Sequence, residues 1–79
     1  MRYEQGKYNT RMYELSQQCR DIRTSQNMTQ QFLADILGVD RKCINRFESG
    51  VPIRLDTFLR ILDGINYELK ISPKTNQNK

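Results

Sequence analysis

The sequence predicts a mainly α-helical domain that ends in a single β-strand. Apolar residues recur at helical spacing in four segments between residues 10 and 64, and capping residues or glycines bound these segments. Beyond Gly64 the apolar residues no longer follow helical spacing and instead occupy every second position. A chain of 79 residues is long enough for one domain only, and it buries about 60–65% of its unfolded surface, so a partner subunit would add needed stability.

The first predicted helix covers residues 10–25, after a polar N-terminal arm at residues 1–9. Asn9 or Thr10 can cap its start. One of its faces carries apolar side chains at i, i+4 and i+7, namely Leu15, Cys19 and Ile22. Asn27 tolerates a left-handed backbone, so we expect the helix to end there.

Two short helices are predicted next, at residues 30–37 and 41–48. Thr29 and Asp40 are their expected N-caps, and Gly38 lies between them, where a positive φ carries no steric penalty. Their predicted inward side chains are Leu33, Ile36, Leu37, Ile44 and Phe47. Gly50 and Pro52 are expected to end the second of the two.

A fourth helix is predicted over residues 55–63, with an apolar stripe of Leu55, Phe58, Leu59 and Leu62 and with Gly64 at its end. Residues 65–72 then alternate apolar and polar side chains, as a half-buried strand does. Pro73 ends this strand, and residues 73–79 read as a disordered tail.

Composition favours an anionic partner and argues against an enzyme. The net charge of +4 and the pI of about 9.3 point to nucleic acid first and a membrane surface second. The chain has no His and two isolated cysteines, so we expect no catalytic residues, no metal site and no cofactor. No transmembrane segment or signal peptide is recognisable, so we expect a cytoplasmic protein with reduced thiols.

The two short helices fit a helix-turn-helix. Ala34 is small enough for a second helix to cross closely, and Gly38 allows a turn of three or four residues. Apolar side chains on both sides of the turn can pack together and form a shared seam, that is, a continuous apolar contact between the two helices. An ordinary helical hairpin is the alternative, but the cap, the small residue, the glycine and the seam all favour the helix-turn-helix.

The stretch "MTQQFLADILGVDRKCINRFESG" also resembles the Cro/lambda-repressor-like (XRE-type) DNA-binding domains. The matching elements are Thr29-Gln30, Leu33-Ala34, Leu37-Gly38-Val39, Ile44 and Glu48-Ser49-Gly50. The layout of "RLDTFLRILDGINYELKIS", a helix followed at once by a strand, is similar to that of HipB-type antitoxin repressors. The resemblance implies a four- to five-helix lambda-repressor-like domain at residues 10–64.

The same resemblance implies that the helix at residues 41–48 is a recognition helix in the DNA major groove. Burial of Ile44 and Phe47 turns the neighbouring polar positions outward, and these are the candidate DNA-binding residues Arg41, Lys42, Asn45 and Arg46. The basic ones can donate to guanine or to phosphate, and Asn45 can pair with adenine or contact the backbone. Gln30 resembles the family's phosphate-contacting Gln and can also support a recognition side chain, and Arg54 can contact a phosphate.

Other residues are interpreted structurally. Arg23 and Glu48 resemble the family's interior salt bridge. Cys19 is expected in the core, while Cys43 on the recognition helix is either a packing residue or a neighbour of the DNA backbone.

The strand at residues 65–72 needs a partner, because one strand cannot satisfy its own backbone. The HipB-type resemblance implies that it pairs with the same strand of a second subunit, with Tyr67, Leu69 and Ile71 on the dimerisation face. Pairing with residues 2–8 of the same chain is the alternative.

The leading functional hypothesis is a homodimeric transcriptional repressor of its own operon that binds a palindromic operator in double-stranded DNA. Within it, the antitoxin of a toxin–antitoxin pair is favoured, with a toxin protein as a second partner. A restriction–modification controller and a phage-type repressor remain open. The alternative class is a protein-interaction module that chiefly binds a partner protein. A membrane-surface binder is not favoured, since the basic residues lie on no helix with an exposed apolar face.

Overall fold

A computed structural model describes residues 5–74 of the protein, with side chains from residue 9 onward. In that range the chain forms four helices: α1 (Gln5–Ser25), α2 (Gln30–Leu37), α3 (Arg41–Glu48) and α4 (Leu55–Gly64). The bounds of α2 and α3 agree with those that the sequence predicts. Residues 1–4 and 75–79, which include parts of the predicted arm and tail, lie outside the described residues.

The first helix starts earlier than predicted. It begins at Gln5 instead of residue 10, so residues 5–9 of the predicted arm are helical. Once a helix is nucleated by residues that pack on a core, each further residue adds a backbone hydrogen bond at little cost. Polar residues can therefore extend α1 outward, and Asn9 and Thr10 lie within the helix instead of capping it.

The core lies where the four helices meet. The helix α3 packs against α1 and α2, and α4 packs against α2. The rings of Phe47 on α3 and Phe58 on α4 lie with their centroids 5.8 Å apart and tilted by 52°, a favourable aromatic geometry. The buried apolar side chains are Cys19, Leu33, Ala34, Ile44, Phe47, Phe58, Ile61, Leu62 and Ile65.

Each helix of the described chain ends in the same hydrogen-bonded motif, with one residue in the left-handed conformation. These residues are Asn27, Gly38, Gly50 and Asn66. After α2, for example, the N–H of Gly38 donates to the carbonyl of Asp35, and the N–H of Val39 donates to that of Ala34 at 3.0 Å. This is the Schellman arrangement, which satisfies carbonyls that the helix leaves free.

The end of α4 differs from the prediction. Gly64 is the last helical residue, and the left-handed position is Asn66. A Cβ built on Gly64 would lie 2.7 Å from Cδ1 of Leu33, so the glycine allows α4 to approach α2 closely. Glycine is therefore required at position 64 by the close packing of α4 on α2, and not by the conformation of a turn.

The predicted strand is not formed within residues 5–74. Ile65, its first predicted residue, is fully buried, and its carbonyl accepts a hydrogen bond of 2.8 Å from Nε2 of Gln26. Residues 67–74 continue without regular secondary structure, because no segment of the described chain lies beside them as a strand. The alternative partner, residues 2–8, is helical from Gln5 onward, and pairing with a second subunit stays a prediction.

Several apolar side chains that were predicted to face the core are exposed instead. They are Leu15, Ile36, Leu55 and Leu59. Helical spacing identifies an apolar face but not how much of it a neighbouring helix covers. Over residues 5–74, no helix has the length and apolar character required to cross a membrane.

Candidate nucleic-acid interface

The helices α2 and α3 are joined by a short, well-defined turn. The hydroxyl of Thr29 accepts a hydrogen bond of 3.0 Å from the N–H of Phe32, as expected for an N-cap. Gly38 has φ +71°, and a Cβ there would meet no atom within 4 Å, so conformation alone selects glycine. Asp40 occupies the N-cap position of α3, but its side chain makes no capping hydrogen bond, in contrast to the prediction.

One face of α3 is buried and the other is basic. Ile44 and Phe47 are buried in the core. The side chains on the opposite face are exposed and form what we call the α3 face, namely Arg41, Lys42, Asn45 and Arg46. Among the described residues, none of the three cations has a carboxylate within salt-bridge distance, so their charges remain available to an anionic ligand.

Arg23 of α1 and Glu48 of α3 form an interior ion pair, as the family resemblance implies. Nε and Nη2 of Arg23 donate to the two carboxylate oxygens of Glu48 at 2.7 and 2.9 Å. Both residues are buried, with exposed fractions of 6% and 7%. Arg23 also donates from Nη1 to the carbonyl of Met28, so the pair joins α1, α3 and the loop before α2.

Two glutamines extend this pair. Nε2 of Gln17 donates to the backbone carbonyl of Glu48 at 2.6 Å. Nε2 of Gln30, at the start of α2, donates to Oε1 of Glu48 at 2.9 Å. We call Arg23, Glu48, Gln17 and Gln30 the Glu48 network. It fixes α3 to both helices beside it.

Gln30 also connects the network to the α3 face. Its Oε1 lies 3.5 Å from Nδ2 of Asn45. Gln30 is half-buried, while Asn45 is exposed. The structure therefore brings together five of the predicted DNA-contacting residues, which are Gln30, Arg41, Lys42, Asn45 and Arg46.

Arg54 lies apart from this group along the chain, at the N-cap position of α4. Its Nε and Nη2 donate to the carboxylate of Asp56, both at 3.1 Å. The side chain of Arg54 is 82% exposed, so this ion pair is weak and open to exchange with a phosphate.

The two cysteines lie in different environments. Cys19 is buried, and burial raises the pKa of its thiol, with a further upward contribution from the negative charge of Glu48. It is an inert core residue in neutral solution. Cys43 is half-buried on α3 and has a free thiol. No group of His, Cys, Asp or Glu in the described part of the chain could hold a metal ion.

Sequence reasoning missed Gln17 as part of the site. Its role depends on a contact with a residue 31 positions away, and nothing in the local pattern indicates it. The predicted dimerisation residues Tyr67, Leu69 and Ile71 are all exposed, and Ile71 is 97% exposed. Leu69 also lines an apolar groove of about 330 Å³, together with Met12, Leu15, Phe47, Val51, Ile53, Leu55 and Phe58.

Comparisons with known proteins agree with this geometry. A family model described as helix-turn-helix matches residues 20–71. Among solved structures, HipB in the HipB–O1–O2 complex is similar, with a TM-score of 0.73 and 22% identity over 92% of this chain and 97% of that one. A likeness at that identity shows a shared fold. Among curated proteins, none matches this sequence.

Proposed function

The chain belongs to the Cro/lambda-repressor-like (XRE-type) helix-turn-helix family of DNA-binding transcriptional regulators, and on that basis we propose that it is a homodimeric repressor of its own operon. We further propose that it acts as the antitoxin of a toxin–antitoxin pair in the cytoplasm. The fold that it shares with HipB, a protein solved in a complex with O1–O2, supports this choice.

One observation carries the proposal, which is the division of α3 into a buried apolar face and an exposed basic face. A recognition helix presents its N-terminal side chains to base edges in the major groove. Arg41 and Arg46 can each donate to O6 and N7 of guanine, and Lys42 can contact guanine or a phosphate. The Glu48 network keeps this helix in a fixed orientation, which sequence-specific contacts require.

The proposed homodimer is supported by exposed apolar surface on the C-terminal side of the chain. Leu55 is 64% exposed and Ile71 is 97% exposed, and Leu59, Tyr67 and Leu69 are also exposed. A small protein with few apolar residues gains stability when a second copy covers such a surface. A twofold dimer would place two α3 helices about 34 Å apart, which is one turn of DNA.

A protein-interaction module is the second candidate, and one observation favours it. Phe32 and Ile36 lie four residues apart on α2, and both are exposed. Such a pair forms a small apolar face that a partner protein could cover. In an antitoxin the two functions would coexist, since α2 presents this face while α3 presents the basic one.

Binding of the full-length protein to its own upstream DNA tests the proposal. We expect a dissociation constant on the order of 10⁻⁸ M at moderate salt. If each subunit neutralises about three phosphates, the slope of log K against log salt should be about −5. A protein-interaction module would show no such slope, and absence of binding at micromolar protein contradicts the repressor.

Substitutions on the α3 face identify the contacts. Arg41→Ala and Arg46→Ala should each weaken operator binding by about 1–3 kcal/mol. Arg60→Ala is the matched control, because it removes the same charge from an exposed position on α4. Equal losses on operator and random DNA would assign the arginines to phosphates, and unchanged binding would contradict α3 as the recognition helix.

A further inference from the structure

Three polar side chains of α1 lie at the C-terminal end of α3, outside the α3 face. They are Tyr13, Gln17 and Arg20, whose spacing of four and three residues places them on one side of α1. Resting on the DNA-binding function proposed above, we propose that this side of α1 binds the phosphate backbone at the edge of the major groove that α3 occupies. The contacting groups are the guanidinium of Arg20 and the hydroxyl of Tyr13.

Tyr13 packs on the turn that follows α3. A Cβ built on Gly50, which has φ +92° in that turn, would lie 2.9 Å from Cδ1 of Tyr13, so the ring fills the space beside this glycine. The side chain is nonetheless 51% exposed, and among the described residues its hydroxyl makes no hydrogen bond. The phenol of Tyr13 therefore offers an unused donor next to the end of α3.

Arg20 is held at the same end of α3 through Gln17. Nε2 of Gln17 donates to the carbonyl of Glu48, the last residue of α3, at 2.6 Å. Oε1 of Gln17 accepts a hydrogen bond of 3.0 Å from Nη1 of Arg20. In the part of the chain that the structure describes, no carboxylate lies within salt-bridge distance of Arg20. An exposed cation is thus positioned beside α3 with its charge unpaired and most of its donors unused.

The α3 face leads to these side chains. Ser49, directly after α3, is exposed, and its hydroxyl donates to the carbonyl of Asn45, four residues earlier on the same side of the helix. The eight residues of α3 span about 12 Å, and the major groove is about 12 Å wide. When the basic first turn of α3 lies over the bases, its last turn lies near the phosphates that border the groove. The element beside that last turn is α1.

The chemistry of both groups fits phosphate. A phosphate offers acceptors only, and the guanidinium of Arg20 and the phenol O–H of Tyr13 are donors. The two residues lie about 10 Å apart along the helix axis, so each would contact a different phosphate. Because α3 fills the groove, the base edges are out of reach of α1. These contacts would therefore add affinity for any sequence and carry no base preference.

Titration of the full-length protein with its own upstream DNA and with a random-sequence duplex, over a range of salt concentrations, tests the proposal. Arg20→Met should weaken binding to both duplexes by the same factor, about 4- to 100-fold if each of two subunits loses a contact of about 2- to 10-fold. The slope of log K against log salt should fall in magnitude by about 2, since two phosphates are no longer neutralised.

Two conservative variants separate charge from packing. Arg20→Lys keeps the positive charge, so it should retain the slope of the wild type. Tyr13→Phe keeps the ring beside Gly50 and removes only the hydroxyl. It should therefore weaken binding to both duplexes by about 2- to 10-fold for each subunit and leave the slope unchanged, because a neutral donor releases no counterion.

Arg11→Met is the matched control. Arg11 is also an exposed arginine of α1, but about two and a half helical turns separate it from Arg20, so it lies on the opposite side of the helix. Its removal should change neither the affinity nor the slope. Ethylation of single phosphates in the upstream DNA gives a direct readout. We expect one phosphate at the edge of each half-site whose ethylation weakens binding of the wild type but not of Arg20→Met.

Three outcomes would overturn the inference while leaving the proposed function intact. The first is an Arg20→Met variant with a lower melting temperature and an unchanged salt slope, which would make Arg20 a structural support for Gln17. The second is a loss of affinity for the upstream DNA alone, which would make Arg20 a base contact. The third is an equal change of slope in Arg11→Met, which would reflect net charge instead of a defined contact. If the wild type binds neither duplex, the proposed function fails as well.

Discussion

Removal of the Glu48 carboxylate should destabilise the fold severely. Glu48→Ala deletes two hydrogen bonds from Arg23 and one from Gln30. It leaves the guanidinium of Arg23, whose side chain is only 8% exposed, with the Met28 carbonyl as its remaining hydrogen-bond acceptor among the described residues. Breaking a buried pair in this way costs about 3–5 kcal/mol, because the surviving charge is desolvated and uncompensated.

That loss is large for a chain of 79 residues. At about 0.05–0.15 kcal/mol per residue, the whole domain is stable by roughly 4–12 kcal/mol. The melting temperature of Glu48→Ala should therefore fall by at least about 12 °C, and the variant is largely unfolded at 37 °C if the stability of the wild type lies at the lower end of that range.

Urea denaturation followed by far-ultraviolet circular dichroism measures the effect. The double variant Arg23→Met/Glu48→Leu should recover most of the loss, since replacing both members of a buried pair by apolar side chains is often neutral. Arg11→Met, at an exposed position of α1, is the control and should change stability by less than about 0.5 kcal/mol.

Two results would refute this reasoning. A loss below about 1 kcal/mol in Glu48→Ala would mean that solvent reaches Arg23 freely. The second result is a double variant whose loss of unfolding free energy equals the sum of the losses in Arg23→Met and Glu48→Leu. Such additivity would mean that the two side chains are not energetically coupled.

Three further changes test other features of the fold. Gly64→Ala should destabilise by about 1–3 kcal/mol, because its methyl group would overlap Leu33, and thermal melts would show it. A thiol reagent at neutral pH should modify Cys43 in the native protein and Cys19 only after denaturation, because burial raises the pKa of the Cys19 thiol and blocks access to it. Equal modification rates of the two cysteines in the native protein would contradict the burial of Cys19. Leu69→Pro should convert the proposed dimer to a monomer in sedimentation, since proline cannot donate to a strand pair, whereas a persisting dimer would place the interface elsewhere.

The helix-turn-helix could be predicted because its signals are local. The cap at Thr29, the left-handed turn at Gly38 and the buried positions Leu33 and Ile44 lie within a few residues of one another, and each has a short-range physical cause. The exposed basic face then follows from helical geometry alone. The pairing of Arg23 with Glu48 required family resemblance, because the two residues are 25 positions apart.

Other features had no local signal. The polar contacts of Gln17 and Gln30 with Glu48 depend on tertiary placement, and hydrophobic periodicity carries no information about them. The exposure of Ile36 and Leu55 depends on which neighbours cover each helix face. The strand prediction rests on alternation, which describes a side-chain pattern but does not supply the second strand.

The lack of internal partners on most of the α3 face has an evolutionary consequence. Among the side chains that the structure describes, at residues 9–74, those of Arg41, Lys42 and Arg46 make no hydrogen bond or ion pair that supports the scaffold. New side chains at these three positions could redirect the protein to a different target while leaving folding unaffected. The side chain of Asn45 contacts Gln30, which is itself bonded to the buried Glu48. A substitution at Asn45 therefore affects the Glu48 network, and we expect residues 30 and 45 to change together during evolution.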